Sequence, residues 1–161
     1  MLSKEDVKKT KRFLEDFEKE FEKYPAVKTI KNKPEIWVDD DGIVHTKVVG
    51  DIDEMIKYAE IMMNYSEKYI EKNKNKIVIP IELRILTEIP PILKMPSIKY
   101  RKKGAEFLKK TQETIKFNKM AICGGGIIVK TVLAFILRAL GMKNIKHFNT
   151  EEEALKWLKK D

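Results

Sequence analysis

The chain has 161 residues, of which 36% are charged and 43% hydrophobic, a composition typical of one folded domain rather than a disordered chain. Its 33 basic and 25 acidic residues give a net charge of +8, which weakly favours an acidic partner such as a protein patch, nucleic acid or an anionic membrane. One cysteine, Cys123, excludes an internal disulfide and a cysteine-based zinc site, and two histidines, His45 and His147, offer few transition-metal ligands. We therefore expect no metal and no cofactor.

The N-terminus is charged from its first residues and has no apolar signal core. The most apolar stretch, residues 127–140, contains Lys130 and Arg138, and with 14 residues it is too short to cross a bilayer. The sequence thus predicts a cytoplasmic protein without a membrane span.

Residues 3–24 are predicted to form a helix that Ser3 caps. Side chains suited to packing recur every seven residues in two series: Val7, Leu14 and Phe21, and Thr10, Phe17 and Tyr24. Two interpretations remain open: the helix lies on its own domain, or it pairs with a second chain in a homodimer. Pro25 and the polar residues up to Lys33 end this segment.

Two strand-like runs follow, Ile36 to Val38 and Ile43 to Val49, separated by Asp39-Asp40-Asp41-Gly42. Asp-Gly favours a tight hairpin in which both turn residues have positive φ. Three aspartates in a row also suggest calcium, but the other ligands of an EF-hand loop are missing, so we predict a turn.

A long helix is predicted from Asp51, its cap, to about Asn73. The alternation of apolar residues from Lys76 to Leu86 predicts a strand, with a bulge or a sheet edge at Pro80 because proline cannot donate a ladder hydrogen bond. The proline-rich residues 87–96 are predicted to be an irregular loop.

The rest of the chain alternates between helices and strands. The sequence predicts a helix at 97–112 capped by Ser97, a strand at 115–123, a glycine turn at 124–126, a buried helix at 127–140, a strand at 144–148, and a last helix that Thr150 caps. Strands linked by crossover helices form parallel pairs. We therefore predict a mixed α/β sheet of four to five strands, with an antiparallel opening hairpin, at residues 34–161 and an N-terminal helix and linker at 1–33.

This order resembles the STAS-like domains (the sulfate transporter and anti-sigma factor antagonist fold), in their stage II sporulation protein AA-like branch. The resemblance covers roughly Pro34 to Lys160. It opens with Ile36-Trp37-Val38…Gly42-Ile43-Val44, and its most specific part is the closing motif, Phe148-Asn149-Thr150-Glu151-Glu152-Glu153-Ala154-Leu155-Lys156-Trp157-Leu158, whereas residues 76–112 match only in outline. It implies a non-enzymatic protein that acts by binding a protein partner.

The resemblance also directs attention to Ser97. In regulatory STAS-like members a serine at this place, within an Asp-Ser…Gly pattern, is phosphorylated. The phosphorylation blocks partner binding. Here the residues are Pro96-Ser97-Ile98-Lys99, so Ser97 is interpreted either as a helix cap or as a switch.

The segment from Ser97 to Lys119 holds eight basic and two acidic residues. Such a run is a solvated helix face or a surface for an acidic partner, and family members commonly make contacts here. The candidate partner-binding residues are Ser97, Tyr100, Arg101, Lys102, Lys103 and Phe107. We do not expect nucleic acid as a partner, because the sequence contains no recognised nucleic-acid-binding module.

Gly124, Gly125 and Gly126 form a candidate anion-binding turn, because glycines at a helix start expose backbone N–H groups. They match no nucleotide fingerprint, and a tight turn between strand and helix is the simpler explanation of the three glycines. Cys123 is interpreted as a small buried strand residue. No catalytic set of residues emerges, so we expect an interaction module rather than an enzyme, with a small-ligand carrier as the alternative.

Overall fold

The computed structural model describes residues 2–76 and 82–161. Its helices are α1 (Lys4–Phe21), α2 (Ile52–Asn73), α3 (Ile98–Ile115), α4 (Gly126–Leu140) and α5 (Glu151–Leu158), and a short 3₁₀ helix spans Pro25–Thr29. Its strands are β1 (Glu35–Val38), β2 (Ile43–Lys47), β3 (Arg84–Ile89), β4 (Lys119–Gly124) and β5 (Ile145–Phe148). No helix in these described ranges is long and apolar enough to cross a membrane.

The strands form one five-stranded sheet in the order β1-β2-β3-β4-β5. The opening pair, β1 and β2, is antiparallel, and each later strand pairs in parallel with the one before it. Parallel neighbours need crossover connections, which α2, α3 and α4 supply. The predicted fold class is therefore confirmed.

Four helices begin at the caps that the sequence predicts. The side chains of Ser3, Asp51, Ser97 and Thr150 each accept a hydrogen bond from the backbone N–H three residues further on. These bonds satisfy N–H groups that have no partner within the helix, which fixes where each helix starts.

The sheet has an apolar core on each face. On one face β3, β4 and β5 pack against α3 and α4 through the buried residues Leu83, Ile85, Leu108, Phe117, Met120, Ile122, Val129, Leu133, Ile136 and Ile145. On the other face, α5 covers the buried residues Ile43, Leu86, Ala121 and Cys123 with its own Ala154 and Leu158. Because side chains alternate along a strand, residues two apart in β3 and β4 share a face.

Helix α1 packs on its own chain. Its rings join those of α2 in an aromatic cluster made of Phe13, Phe17, Phe21, Tyr24, Tyr58, Tyr65 and Tyr69. Phe17 and Phe21 are buried, and the Tyr65 hydroxyl donates to the Phe17 carbonyl at 3.3 Å. The side chains that would form a coiled-coil seam are thus among those that contact α2.

The third strand differs from the sequence prediction. We predicted a strand to Leu86 and a loop from Thr87, but β3 runs from Arg84 to Ile89 and ends before Pro90. The apolar alternation continues through Thr87 and Ile89, and the prolines begin only after the last ladder pair. Residues 77–81, which include the predicted bulge at Pro80, lie outside the described residues.

Two further expectations are corrected. In the β1–β2 turn only Gly42 has a positive φ, 79°, so this is not the two-residue turn that Asp-Gly favours. Helix α4 is not buried all round, because Ile127 and Phe135 are 72% and 74% exposed. It lies at the β5 side of the sheet and packs against other elements through only part of its surface.

Candidate functional site

The segment that leads into α3 exposes large apolar side chains beside lysines. Leu93 is 90% exposed, Ile98 is 65% exposed, and Met95 is also exposed. We call this the 93–102 surface, and its exposed residues are Leu93, Lys94, Met95, Ile98, Lys99 and Lys102. Apolar anchors with a charged rim are the usual composition of a protein-binding patch.

The charges on this surface disfavour the helix that carries them. The first turn of α3 contains no acidic residue, whereas α1, α2 and α5 each begin with acidic residues. The positive end of a helix dipole repels cations, so Lys99, in the first turn, slightly destabilises α3. A sequence feature that opposes local stability is more often retained for function.

Several of the predicted partner-binding residues are engaged within the chain. The Tyr100 hydroxyl donates to the Asp53 carboxylate, an interaction that raises the pKa of Tyr100. Lys103 Nζ lies 2.5 Å from the Glu60 carboxylate, and Phe107 packs against the core under α3.

The other three predicted residues differ in their surroundings. Arg101 is half-buried, and its Nε has no hydrogen-bond partner among the described residues. Ser97 is exposed, and its hydroxyl caps α3 by accepting from the Tyr100 N–H at 3.4 Å. Lys102 is exposed to solvent, so Ser97 and Lys102 are the two predicted residues that lie on the open surface.

The glycine turn has a structural explanation. Gly124, Gly125 and Gly126 have φ of 84°, 75° and 71°, a region that side chains disfavour. A Cβ on Gly124 would lie 2.3 Å from the Ile89 carbonyl oxygen, and the Gly125 N–H donates to that same oxygen at 2.9 Å. The Gly125 N–H is therefore already satisfied, and binding of an anion at this turn stays a prediction.

Cys123 is buried, with 5% of its surface exposed. Burial, together with the negative charges of Glu88 and Glu151, raises the pKa of the thiol to about 11. The thiol is therefore protonated at neutral pH, in line with the interpretation of Cys123 as an inert strand residue.

A polar cluster lies on the α5 face of the sheet, and sequence reasoning missed it. One ligand atom of His45 on β2, of Glu88 on β3 and of Glu151 on α5 all lie within 4.8 Å of one another. The three residues are far apart in the sequence and meet through the parallel register, in which His45 lies opposite Leu86, two residues before Glu88. The only sequence signal was a histidine on an alternating strand, which equally indicates a core residue.

The three aspartates of the β1–β2 turn have separate partners. Asp39 contacts His45 at 2.9 Å, Asp40 contacts Lys11 of α1 at 3.3 Å, and Asp41 contacts Lys159 at 2.6 Å. The Asp39 carboxylate also accepts from the N–H groups of Asp41 and Ile43. These carboxylates bind protein groups in three directions, as expected for a turn rather than for a calcium loop.

Comparisons of this protein with protein-family models, with curated proteins and with solved structures find no match.

Proposed function

We propose that this protein is a non-enzymatic interaction module of the STAS-like kind that binds an acidic protein partner through the 93–102 surface. The sheet supports this proposal, since it consists of an antiparallel hairpin followed by parallel units, with helices on both faces. The resemblance of the two ends of the domain to STAS-like sequences supports it as well.

The observation that carries the proposal is the pairing of exposed Leu93 and Ile98 with exposed lysines, of which Lys99 lies at the positive end of α3. Solvation alone explains lysines on a helix, but it does not explain why apolar side chains adjoin them at 90% and 65% exposure. An acidic partner with an apolar centre would bury these side chains and neutralise the lysines in one contact.

The test compares two variants that change charge equally. One variant reverses the surface lysines, Lys94→Glu, Lys99→Glu and Lys102→Glu. The matched control reverses three exposed lysines elsewhere, Lys8→Glu, Lys28→Glu and Lys143→Glu. Proteins captured by each variant from cells of the source organism are quantified by mass spectrometry.

We expect the wild-type protein and the control to enrich the same acidic partner, and the surface variant to lose it at least tenfold. Increasing salt should weaken the wild-type complex, because charge complementarity contributes to it. Equal capture by the surface variant would contradict the proposal.

The stability of the surface variant shows whether a loss of binding is caused by misfolding. A glutamate at 99 lies in the first turn of α3, so we expect the free energy of unfolding to rise by about 0.3–1 kcal/mol. A urea unfolding curve measures this. If the variant is at least as stable as the wild type but does not bind the partner, the loss of binding is caused by the changed surface residues and not by unfolding.

A further inference from the structure

The cluster of His45, Glu88 and Glu151 brings an imidazole and two carboxylates together from three different elements. His45 is 5% exposed, Glu88 is half-buried, and Glu151 is exposed in the first turn of α5. Among the described residues, neither glutamate side chain forms a hydrogen bond or an ion pair. Lys47, whose Cα lies opposite that of Glu88 in the β2–β3 register, does not pair with it. Two carboxylates at this separation repel each other unless a cation lies between them.

The second observation concerns the ring of His45. Its Nε2 contacts the Asp39 carboxylate at 2.9 Å, whereas its Nδ1 is buried and has no hydrogen-bond partner in the described chain. A buried polar atom without a partner costs about 1–3 kcal/mol. Because an ionised Asp39 carboxylate can only accept a hydrogen bond, Nε2 donates its N–H to it, and a neutral ring then carries its lone pair on Nδ1. That lone pair is the form in which imidazole binds a metal.

Two neighbours hold the ring in this orientation. Asp39 accepts from the backbone N–H groups of Asp41 and Ile43 at 3.0 Å and 2.9 Å, which fixes its carboxylate. The Trp37 ring stacks on the imidazole with centroids 4.9 Å apart and an interplanar angle of 13°. A carboxylate that orients a histidine through its second nitrogen is the recurring outer partner in metal sites.

The donor set indicates the kind of metal. Calcium requires six to eight oxygen ligands, whereas one imidazole and two carboxylates suit Zn²⁺ and related transition metals. Tetrahedral zinc with bonds of about 2.1 Å places its ligand atoms about 3.4 Å apart. The cluster spans 4.8 Å at most, and rotation of the exposed Glu151 side chain would close the difference.

We propose that His45, Glu88 and Glu151 bind one divalent transition-metal ion, with Asp39 as the positioning residue for His45. The ion joins β2, β3 and the start of α5, which is the helix that packs on this face of the sheet among the described residues. The metal therefore stabilises the attachment of α5, and solvent supplies its remaining ligand.

The test uses the full, untagged chain, since a histidine tag would itself bind metal. Zn²⁺ is titrated by calorimetry, and Co²⁺ is titrated by visible absorption, because its d–d bands report coordination by protein ligands. We expect one ion per chain and a higher melting temperature in the presence of Zn²⁺, because a ligand that binds only the folded state stabilises it.

Variants assign the ligands. Glu151→Gln and Glu88→Gln should each weaken Zn²⁺ binding at least tenfold, and Asp39→Asn should weaken it about 10–100-fold. Glu152→Gln changes the adjacent, exposed glutamate outside the cluster and should leave the affinity unchanged. His45→Asn should abolish the Co²⁺ bands.

The proposal is overturned if neither Zn²⁺ nor Co²⁺ binds at millimolar concentration. It is equally overturned if the Glu151→Gln protein binds Zn²⁺ as the wild type does, since that side chain is exposed and its replacement does not threaten folding. A stoichiometry that falls equally in Glu151→Gln and Glu152→Gln would show non-specific binding to the acidic start of α5.

Discussion

The two faces of the sheet differ in what they bury. The face under α3 and α4 is lined by aliphatic and aromatic side chains. The α5 face buries His45, Arg84 and Cys123 among its apolar residues, and one eight-residue helix covers it. Buried polar groups are costly unless they are partnered, so the stability of the α5 face depends on specific hydrogen bonds as well as on packing.

The titratable groups buried against the sheet thus lie on the α5 face. The larger face is a packing surface, and substitutions there should change stability alone. The α5 face holds groups whose charge and protonation matter, and it also contains the cluster of His45, Glu88 and Glu151. Matched substitutions on the two faces therefore test whether the faces differ in this way.

The largest effect is expected from a leucine removed on each face. Leu158→Ala on α5 and Leu133→Ala on α4 should each lower the free energy of unfolding by about 2–5 kcal/mol, measured in urea. Only Leu158→Ala should also expose Cys123 to a thiol reagent under native conditions, because α5 covers that thiol. Equal labelling of Cys123 in both variants would remove the distinction between the faces.

A smaller effect is expected from Arg84, which links β3 to the end of α5. Its guanidinium donates to the Leu158 carbonyl at 2.6 Å and to the Asp161 carboxylate at 3.1 Å, and the second bond lowers the pKa of Asp161. Arg84→Met keeps most of the aliphatic stem of the side chain but leaves the Leu158 carbonyl without this donor. We expect a loss of about 1–3 kcal/mol in chemical denaturation.

The matched control is Arg138→Met, on the exposed side of α4. We expect it to change the free energy of unfolding by no more than about 0.5 kcal/mol. If both arginine variants lose the same stability, the hydrogen bonds of Arg84 do not hold α5 in place.

The fold could be predicted from sequence because its signals are local. Caps at Ser3, Asp51, Ser97 and Thr150 and apolar periodicity determine the elements, and short connections then determine strand order. The sequence does not predict the end of β3 correctly, because the prolines at 90, 91 and 96 favour a loop and that loop is then drawn from Thr87 onwards. Only ladder pairing decides such a boundary.

The candidate sites also differ in how much of each could be predicted from the sequence. The basic start of α3 is visible in sequence, but the internal contacts of Tyr100 with Asp53 and of Lys103 with Glu60 depend on how α2 and α3 pack. The cluster of His45, Glu88 and Glu151 depends on strand register and on the position of α5, so no short motif predicts it.

The smallest effect is expected from the Cys123 thiol, whose protonation makes the stability of the protein depend on pH. Burial and the charges of Glu88 and Glu151 raise its pKa from 9.0 to about 11. Above pH 9 the unfolded thiol ionises while the folded thiol keeps its proton, so ionisation favours the unfolded chain. The contribution of Cys123 to stability is therefore complete below pH 9 and is lost as the pH rises towards 11.

The measurement is the difference in the free energy of unfolding between the wild type and Cys123→Ala at pH 8 and at pH 10. This difference cancels the titration of the lysines and tyrosines, which both proteins share. We expect the wild type to lose about 1 kcal/mol relative to the variant over this interval. A difference that stays constant with pH would contradict this prediction. It would mean that the Cys123 thiol has the same pKa in the folded and unfolded chains, so that the α5 face does not raise it.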